Sequence, residues 1–253
     1  MERKICQYLV ILSGFVLLTA LHTPANQGSG RTGFQNMIYR AYVYDRMPLW
    51  ESTLQTMEFE YRQQPDPGLL YDILLAKYGL IGYYLGTDQE NEAEAMLDRA
   101  NNYLDILSED RNYRAEAKLF EAAFYGFRIG LRPRRAVRFG PRSSRLIDEA
   151  LEINPDYPRA HIEKGNVLYY APSIFGGSKS KAIEHYEKAI ELMEDSMANN
   201  HRWLYLSTLV SLAEAYKEAG DRETGIAILE KALRFEPDFH WVKEEKLPEF
   251  RSG

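Results

Sequence analysis

The sequence predicts an all-α protein, an α-solenoid of about five helix pairs that stack on one another. Three observations support this fold class. Small, large and proline residues recur at the same intervals along most of the chain. No segment shows the sustained alternation of apolar and polar residues that is typical of a half-buried strand. The composition, with 45% hydrophobic and 27% charged residues, is that of a folded globular protein.

The unit at residues 213–237, AEAYKEAGDRETGIAILEKALRFEP, shows the intervals most clearly. It has small residues at Ala213, Gly225 and Ala232, and a proline closes it. Small residues let two antiparallel helices approach closely, and large residues fill the space between them. Gly220 begins the turn between the two helices. This unit resembles the tetratricopeptide repeat, and the resemblance implies a right-handed superhelix of helix pairs.

Four further units match the same intervals upstream. The first and second match moderately, and the third and fourth contain extra residues between their two helices. The matching positions are Ala41, Tyr44, Thr53, Met57 and Pro65; Tyr84, Ala93, Leu97 and Ala100; Ala122, Tyr125, Ser143, Ile147, Ala150 and Pro155; and Gly165, Leu168, Ala182, Tyr186 and Ala189. We therefore assign residues 34–239 to a repeat domain and residues 240–253 to a C-terminal tail.

A second resemblance lies on the third and fourth units. The run from Leu146 to Leu192 contains a proline and an FGG sequence before a helix with lysine and alanine. Residues 115–250 resemble the periplasmic T component of tripartite ATP-independent periplasmic (TRAP) transporters. The resemblance implies an exported lipoprotein that associates with substrate-binding proteins. The chain departs from that family because its single cysteine, Cys6, is not at the expected lipid-attachment point.

Residues 1–25 are predicted to be a signal peptide. Two basic residues precede an apolar run from about Tyr8 to Leu21, and small residues precede the expected cleavage point after Ala25. The run is shorter than the roughly 20 residues that span a bilayer, and an uncleaved anchor is the alternative. Residues 26–33 are expected to form a linker. The expected location is therefore the periplasm or the exterior of the cell.

The charge and the motifs argue against several classes of function. The formal charge of −6 argues against a general nucleic-acid binder. No histidine pair has zinc-site spacing on one helix, no serine lies in a nucleophile-elbow sequence, and FGGSKS lacks the spacing of a nucleotide-binding P-loop. The sequence therefore predicts a non-enzymatic protein with no cofactor and no metal.

An arginine-rich stretch, residues 127–145, interrupts the third unit. FRIGLRPRRAVRFGPRSSR contains seven arginines and no acidic residue. Guanidinium groups bind carboxylate and phosphate through paired hydrogen bonds, so the stretch is a candidate site for an acidic partner or an anionic headgroup. The alternative is a solvated basic face paired with acidic helices of neighbouring repeats. The candidate residues are Arg128, Arg132, Arg134, Arg135, Arg138 and Arg142.

The stretch YYAPSIFGGSKS, residues 169–180, is predicted to be an enlarged turn inside the fourth unit. Pro172 ends the first helix, Phe175 is expected to anchor the turn on the core, and Ser178 or Ser180 caps the second helix. A functional interpretation stays open, because a glycine-rich turn at a helix start can hold a carboxylate or a phosphate. The candidate residues for that interpretation are Phe175, Gly176, Gly177 and Lys179.

Aromatic residues outside the packing positions of the repeat are further candidates. Most tyrosines fall at packing positions and are expected in the core. Tyr169, Tyr170 and Trp203 do not. Amphipathic aromatic side chains of this kind line recognition surfaces in other proteins, so these three are candidate contacts to a ligand or a partner.

The repeat and the missing catalytic constellation lead to one principal functional hypothesis. The chain is expected to be an exported scaffold or adaptor that binds another protein or an extended peptide on the concave face of its superhelix. The alternative is a transporter accessory protein that binds a small anionic ligand or a substrate-binding protein, with the arginine-rich stretch and the FGGSKS turn at its site. Peripheral membrane association and the oligomeric state are left open.

Overall fold

The computed structural model describes residues 27–195 and 201–252. Within these ranges the chain forms eleven α-helices and no β-strand, as the sequence predicts. The helices are α1 (Gln27–Val43), α2 (Met47–Gln63), α3 (Pro67–Gly86), α4 (Glu90–Glu109), α5 (Arg114–Leu131), α6 (Ala136–Ile153), α7 (Pro158–Tyr170), α8 (Lys179–Asp195), α9 (Arg202–Glu218), α10 (Arg222–Phe235) and α11 (Leu247–Ser252). The predicted signal peptide and its cleavage point lie outside the described residues. None of the helices in these ranges has both the length and the apolar character that crossing a membrane requires.

Helices α1 to α10 pack as successive pairs, from α1 with α2 to α9 with α10. The small residues that the repeat pattern singles out lie at the interfaces: Ala122, Ala182, Ala213 and Ala232 are fully buried. Their methyl groups let the helices approach closely, and large side chains fill the remaining space. The prediction of helix pairs is therefore confirmed.

Gly165 of α7 shows why a small residue is needed at one of these positions. A Cβ atom at Gly165 would lie 2.6 Å from the ring of Tyr186 on α8. The Tyr186 ring is buried, and its hydroxyl donates a hydrogen bond to Asn166 Oδ1 at 2.8 Å. Glycine therefore lets the fourth pair close around a tyrosine.

The turn between α9 and α10 has the geometry that its sequence predicts. Gly220 has a φ of 92°, in the left-handed region that glycine adopts without a Cβ clash. Asp221 then caps α10, because its side chain accepts a hydrogen bond from the Thr224 amide at 3.1 Å. The turn and the helix start are therefore set by glycine and polar positions of the repeat.

The first and fifth pairs are in contact, so the array of helices returns on itself. Helix α9 packs against α1. Trp203 of α9 lies beside the rings of Tyr42 and Trp50, with centroid distances of 5.9 and 5.0 Å. Tyr39 of α1 donates a hydrogen bond to the Glu236 carboxylate, just after α10, at 2.7 Å. The inner surface, which the sequence predicts as the concave binding face, is filled here by side chains of the chain itself.

Helix α3 lies at the centre of this arrangement. It contacts α1, α2, α4 and α5, and Ile73 and Leu74 are fully buried. A Cβ atom at Gly79 would lie 2.5 Å from Trp50 and 3.0 Å from Trp203. The two indole rings therefore rest against the backbone of α3, and the core is concentrated around that helix.

Candidate functional site

A groove lies between α4 and α6, with α5 as its floor. Its volume is about 590 Å³. Side chains of α4 between Asn101 and Ser108 form one wall, and Arg138, Phe139 and Arg142 of α6 form the other. The groove therefore separates the second helices of the second and third pairs, away from the filled inner surface. We call it the basic groove.

Positive charge predominates in the basic groove. Five basic side chains line it against two carboxylates, Asp105 and Glu121. Lys118 is paired with Glu149, whereas the arginines of the groove form no ion pair with a carboxylate of the described residues. The basic residues are Arg114, Lys118, Arg128, Arg138 and Arg142. Three of them are candidates from the sequence, and Arg114 and Lys118 of α5 are additional.

Two stacked aromatic rings lie beside these arginines. Tyr125 and Phe139 have centroids 5.0 Å apart and ring planes 17° from parallel. The Arg138 guanidinium lies 5.3 Å from the centre of the Phe139 ring. The Tyr125 hydroxyl donates a hydrogen bond to Glu121 at 2.8 Å, and burial together with this carboxylate raises the pKa of Tyr125. The groove thus combines guanidinium groups with a flat aromatic surface.

The other candidate arginines lie outside the groove. Arg132 donates hydrogen bonds to Glu90 at 3.1 Å and to Glu94 at 3.4 Å, which ties the end of α5 to α4. For this residue the geometry is that of the alternative interpretation, a basic residue paired with an acidic helix. Arg134 and Arg135 lie in the turn between α5 and α6, and neither forms an ion pair within the described ranges.

The FGGSKS turn uses its own backbone donors. The amide of Gly177 donates to the Pro172 carbonyl at 3.1 Å, and the amide of Ser178 donates to the Leu168 carbonyl at 2.8 Å. Gly176 has a φ of 88°, a left-handed conformation that glycine adopts more easily than other residues. An anion cradle needs free amide groups that point at the ligand. In this conformation these two amides are already bonded to carbonyl oxygens of the turn and of α7.

Lys179 fastens the turn to the end of α7. Its ammonium group donates a hydrogen bond to the Tyr169 carbonyl at 2.7 Å and lies 3.6 Å from the centre of the Tyr169 ring. The Glu218 carboxylate lies 2.6 Å from the same ammonium group and accepts a hydrogen bond from the Tyr169 hydroxyl. Lys179 therefore caps α7 and has its charge balanced.

Phe175 does not anchor the turn, so that expectation is wrong. Phe175 is 62% exposed, and Tyr170 and Ile174 are 78% and 83% exposed. The physical reason is that backbone hydrogen bonds and the Lys179 side chain hold the turn, so it needs no packing of Phe175 on the core. Gly177 also packs so close to the Ala171 carbonyl that a Cβ would lie 1.7 Å from its oxygen. The outer residues of the turn consequently point into solvent.

Trp203 is a core residue and not a surface contact. It is 5% exposed and packs against Trp50. The repeat pattern describes contacts between neighbouring pairs only. Because Trp203 joins pairs that are distant in sequence, its burial leaves no signal at the packing positions of the repeat.

A buried ionic pair that the sequence does not predict lies on α7. Arg159 and Glu163 are 3% and 4% exposed, and their nearest charged atoms are 3.7 Å apart. The Arg159 guanidinium lies 3.6 Å from the centre of the Phe120 ring. None of its three nitrogens has a hydrogen-bond partner among the described residues. Burial raises the pKa of Glu163.

Two histidines connect α7 and α8. The Nδ1 atoms of His161 and His185 are 3.0 Å apart, and His161 Nε2 lies 2.8 Å from the Pro155 carbonyl. Because a carbonyl only accepts, His161 Nε2 carries the proton and His185 Nδ1 donates to His161 Nδ1. Burial and His161 lower the pKa of His185. In the part of the chain that the structure describes, no three His, Cys, Asp or Glu side chains are arranged to hold a metal.

A second groove has the opposite charge. It lies between α8 and α10, over α9, with a volume of about 670 Å³. Carboxylates of α8 dominate its lining: Glu184, Glu187, Glu191, Glu194 and Asp195. Lys231 of α10 pairs with Glu194 at 2.7 Å. Neither this groove nor the basic groove is lined by a histidine.

Comparison with protein-family models matches residues 206–239 to the tetratricopeptide repeat. The match begins at Leu206 of α9 and continues past α10 to Phe239. It therefore contains the unit in which the sequence intervals are clearest. The search of curated proteins found no match.

Two solved structures share the fold of this chain. The HusA haemophore from Porphyromonas gingivalis is 21% identical, with a TM-score of 0.56 over 78% of this chain and 96% of that one. A thermophilic tetratricopeptide-repeat protein from Thermus thermophilus is 18% identical, with a TM-score of 0.54 over 88% and 97% of the two chains. The resemblance of residues 115–250 to the TRAP transporter T component is not confirmed. The chain is an all-α solenoid with a tetratricopeptide-like fold, and residues 206–239 match the family model of the tetratricopeptide repeat.

Proposed function

We propose that this protein is an exported, non-enzymatic scaffold that binds an acidic segment of a partner protein in its basic groove. The fold supports the role of a protein-binding scaffold, because tetratricopeptide arrays commonly bind other proteins. The observation that supports the binding of an acidic segment is the set of four groove arginines that lack carboxylate partners in the described part of the chain. They are concentrated in one groove of a chain whose net charge is −6.

The groove suits a peptide carboxylate better than the inner surface does. The inner surface is filled by Trp203 and its neighbours, so a partner would have to displace core side chains. In the groove, Arg138 and Arg142 are exposed and stand opposite the wall of α4. Guanidinium groups bind carboxylates in a planar, paired geometry. An acidic segment would therefore gain hydrogen bonds there without unfolding the scaffold.

Two other features support export and the lack of catalysis. The leader, with its apolar run from about Tyr8 to Leu21, has the pattern of a secretory signal. Neither groove offers a histidine as a general base. For an exported chain of negative charge we expect a protein partner and not a nucleic acid. Cell fractionation followed by N-terminal sequencing tests export, and a mature terminus at Asn26 would agree with the expected cleavage.

The partner is tested by photo-crosslinking in intact cells. A photoreactive amino acid replaces Ser108, an exposed residue on the groove wall. We expect crosslinks to one protein through a peptide rich in Asp and Glu. The variant R138E/R142E should lose them, whereas R234E/K243E, which reverses two exposed charges outside the groove, should keep them. Crosslinks that persist in R138E/R142E, or that map to a peptide without acidic residues, would contradict the proposal.

A binding measurement with purified protein gives the magnitude. A fluorescent peptide of alternating Glu and Leu is titrated against the wild type and the two double variants. Each lost charged hydrogen bond is expected to weaken binding by about tenfold or more, so R138E/R142E should reduce affinity strongly. Binding by the wild type should also decrease as salt rises, because exposed charges are screened. Equal affinity of both double variants would contradict a role for the groove.

A second candidate function is binding of a small planar anion in the same groove. It is favoured by the stacked rings of Tyr125 and Phe139 beside Arg138. A solved structure with this fold is described as a haemophore, so haem is a suitable probe together with inorganic phosphate and organic acids. A ligand of the native state raises its melting temperature. We expect the shift in the wild type and not in R138E/R142E, and no shift with any probe would remove this candidate.

A further inference from the structure

The turn between α7 and α8 exposes three large side chains, Tyr170, Ile174 and Phe175, which we call the apolar knuckle. Their exposed fractions are 78%, 83% and 62%. Large side chains of α8 that face the pair, such as Tyr186 and Ile190, are buried. Neighbouring exposed apolar side chains of this size indicate a contact surface.

The backbone holds the knuckle in one shape. The amides of Gly177 and Ser178 donate to the carbonyls of Pro172 and Leu168. A Cβ atom at Gly177 would lie 1.7 Å from the Ala171 oxygen, so only glycine lets the two sides of the turn approach this closely. These hydrogen bonds fix the shape of the turn, so its apolar side chains do not need to pack on the core and remain exposed to solvent.

The turn of the third pair lies at the same edge of the stack. Helix α6 packs along both α5 and α7, and short turns join it to each of them. Its Ser143 hydroxyl donates to the Ala122 carbonyl of α5 at 2.9 Å, and its Asp148 pairs with Lys164 of α7 at 2.7 Å. Helices α5 and α7 are thus both antiparallel to α6 and run in the same direction. Their C-terminal ends reach the same edge.

That edge also carries basic residues. Arg134 and Arg135 lie in the turn of the third pair, and the adjacent Val137 is 77% exposed. Neither arginine forms an ion pair within the residues described. The sequence has no acidic residue between Glu121 and Asp148, so no carboxylate of this segment offsets their charge.

We propose that this edge docks onto an anionic lipid surface, with the apolar knuckle in the interfacial layer and Arg134 and Arg135 against headgroup phosphates. Apolar side chains that enter the interface and arginines that attract anionic lipids act together in peripheral membrane binding. The knuckle side chains are exposed, and Arg134 and Arg135 lie in the neighbouring turn at the same edge. A flat surface that approaches this edge can therefore contact both turns. Docking at this edge is independent of what the basic groove binds.

The test uses a fluorophore whose emission depends on its surroundings. Nitrobenzoxadiazole is attached to I174C in the full chain carrying C6S, and the protein is mixed with phosphatidylcholine vesicles with or without phosphatidylglycerol. We expect a blue shift and brighter emission only when phosphatidylglycerol is present. The matched control is the same label on I153C, since Ile153 is 62% exposed and ends α6 at the opposite edge. The label reports its own surroundings, so binding through the N-terminal apolar run alone does not produce the signal at residue 174.

The basic flank is tested separately. R134Q/R135Q should raise the vesicle concentration needed for half of the signal by about tenfold or more, and R234Q/K243Q should leave it unchanged. Circular dichroism confirms that each variant is folded. An unshifted label at residue 174, or equal shifts at residues 174 and 153, would overturn the proposal. A shift at residue 174 with a protein partner and not with vesicles would assign the knuckle to a protein contact and would also overturn it.

Discussion

Trp50 and Trp203 meet edge to face, with ring centroids 5.0 Å apart and an angle of 71° between their planes. One ring belongs to α2 in the first pair and the other to α9 in the fifth pair. Trp50 also donates a hydrogen bond from Nε1 to the Ala76 carbonyl of α3 at 3.1 Å. The contact therefore joins the two ends of the helix array across the central helix.

The absence of a side chain at Gly79 is expected to be necessary for the close packing of Trp50 and Trp203 on α3. Replacing Gly79 by Ala should lower the free energy of unfolding by about 1–3 kcal/mol, because the new methyl group meets both indole rings, even though alanine favours a helix. Gly82, on the same helix, has no atom within 4 Å of its Cβ position. Gly82→Ala is the matched control and should raise stability by up to about 1 kcal/mol. Urea unfolding followed by circular dichroism measures both, and equal effects would contradict the packing described.

The buried pair on α7 should behave as a unit. Arg159→Met or Glu163→Met alone leaves one uncompensated charge in the core and should cost about 3–5 kcal/mol. The double variant removes both charges and should be about as stable as the wild type. A double-mutant cycle from urea unfolding measures the coupling. If the destabilisation of the double variant equals the sum of the two single-variant values, the two side chains do not interact and the prediction is wrong.

Stability is expected to fall on acidification through His201. Burial lowers the pKa of His201 from 6.5 to about 4. The unfolded chain binds a proton near pH 6.5, whereas the folded chain does so only near pH 4. As the pH falls from about 6.5 to about 4, the free energy of unfolding should therefore decline by roughly 1.4 kcal/mol per pH unit. Above about pH 6.5, His201 should have no effect on the pH dependence of stability.

The variant H201Q tests this dependence. Urea unfolding between about pH 4.5 and pH 7 should show a shallower slope for H201Q than for the wild type. H240Q, which alters an exposed histidine, should retain the wild-type slope. Carboxylates that titrate near pH 4.5 change the free energy of unfolding equally in the wild type, H201Q and H240Q, so they do not affect the comparison. Identical slopes for H201Q and the wild type would contradict the assignment.

Gly177 should control the shape of the apolar knuckle. Gly177→Ala places a methyl group on the Ala171 oxygen, so the turn must open and the Ser178 amide should lose its bond to Leu168. Hydrogen exchange of this amide should become faster by about tenfold or more. Gly126→Ala adds a methyl group with no atom within 4 Å and should leave the exchange unchanged. Unaltered protection of Ser178 in the Gly177 variant would contradict the geometry.

The helix pairs were predictable because their interfaces depend on residues that are close in sequence. Ala182, Tyr186 and Ala189 recur at intervals of one helical turn, and all three are buried against the preceding helix. Such intervals specify which face of a helix packs on its neighbour. They carry no information on contacts between pairs that are far apart in sequence, so the closure through Trp203 could not be predicted.

The sequence indicated which stretch supplies arginines to the basic groove, but it did not indicate which of those arginines line the groove. The arginine-rich stretch identified Arg128, Arg138 and Arg142, which line one groove. It did not distinguish them from Arg132, because pairing with Glu90 and Glu94 depends on how the second and third pairs are oriented. The error on Phe175 has a related cause. Phe is among the residue types that are most often buried, but here backbone hydrogen bonds and Lys179 hold the turn, so it needs no aromatic anchor.

Closure of the array has a consequence for how the protein unfolds. In an open solenoid each repeat contacts only its neighbours, so the terminal repeats fray first and stability grows with each added unit. Here the terminal pairs protect each other: removing either one would expose Trp50 or Trp203 and the backbone of α3 beside them. We therefore expect the chain to unfold cooperatively, as a globular domain does, and we expect that deleting or adding a single repeat would break the contact between the terminal pairs.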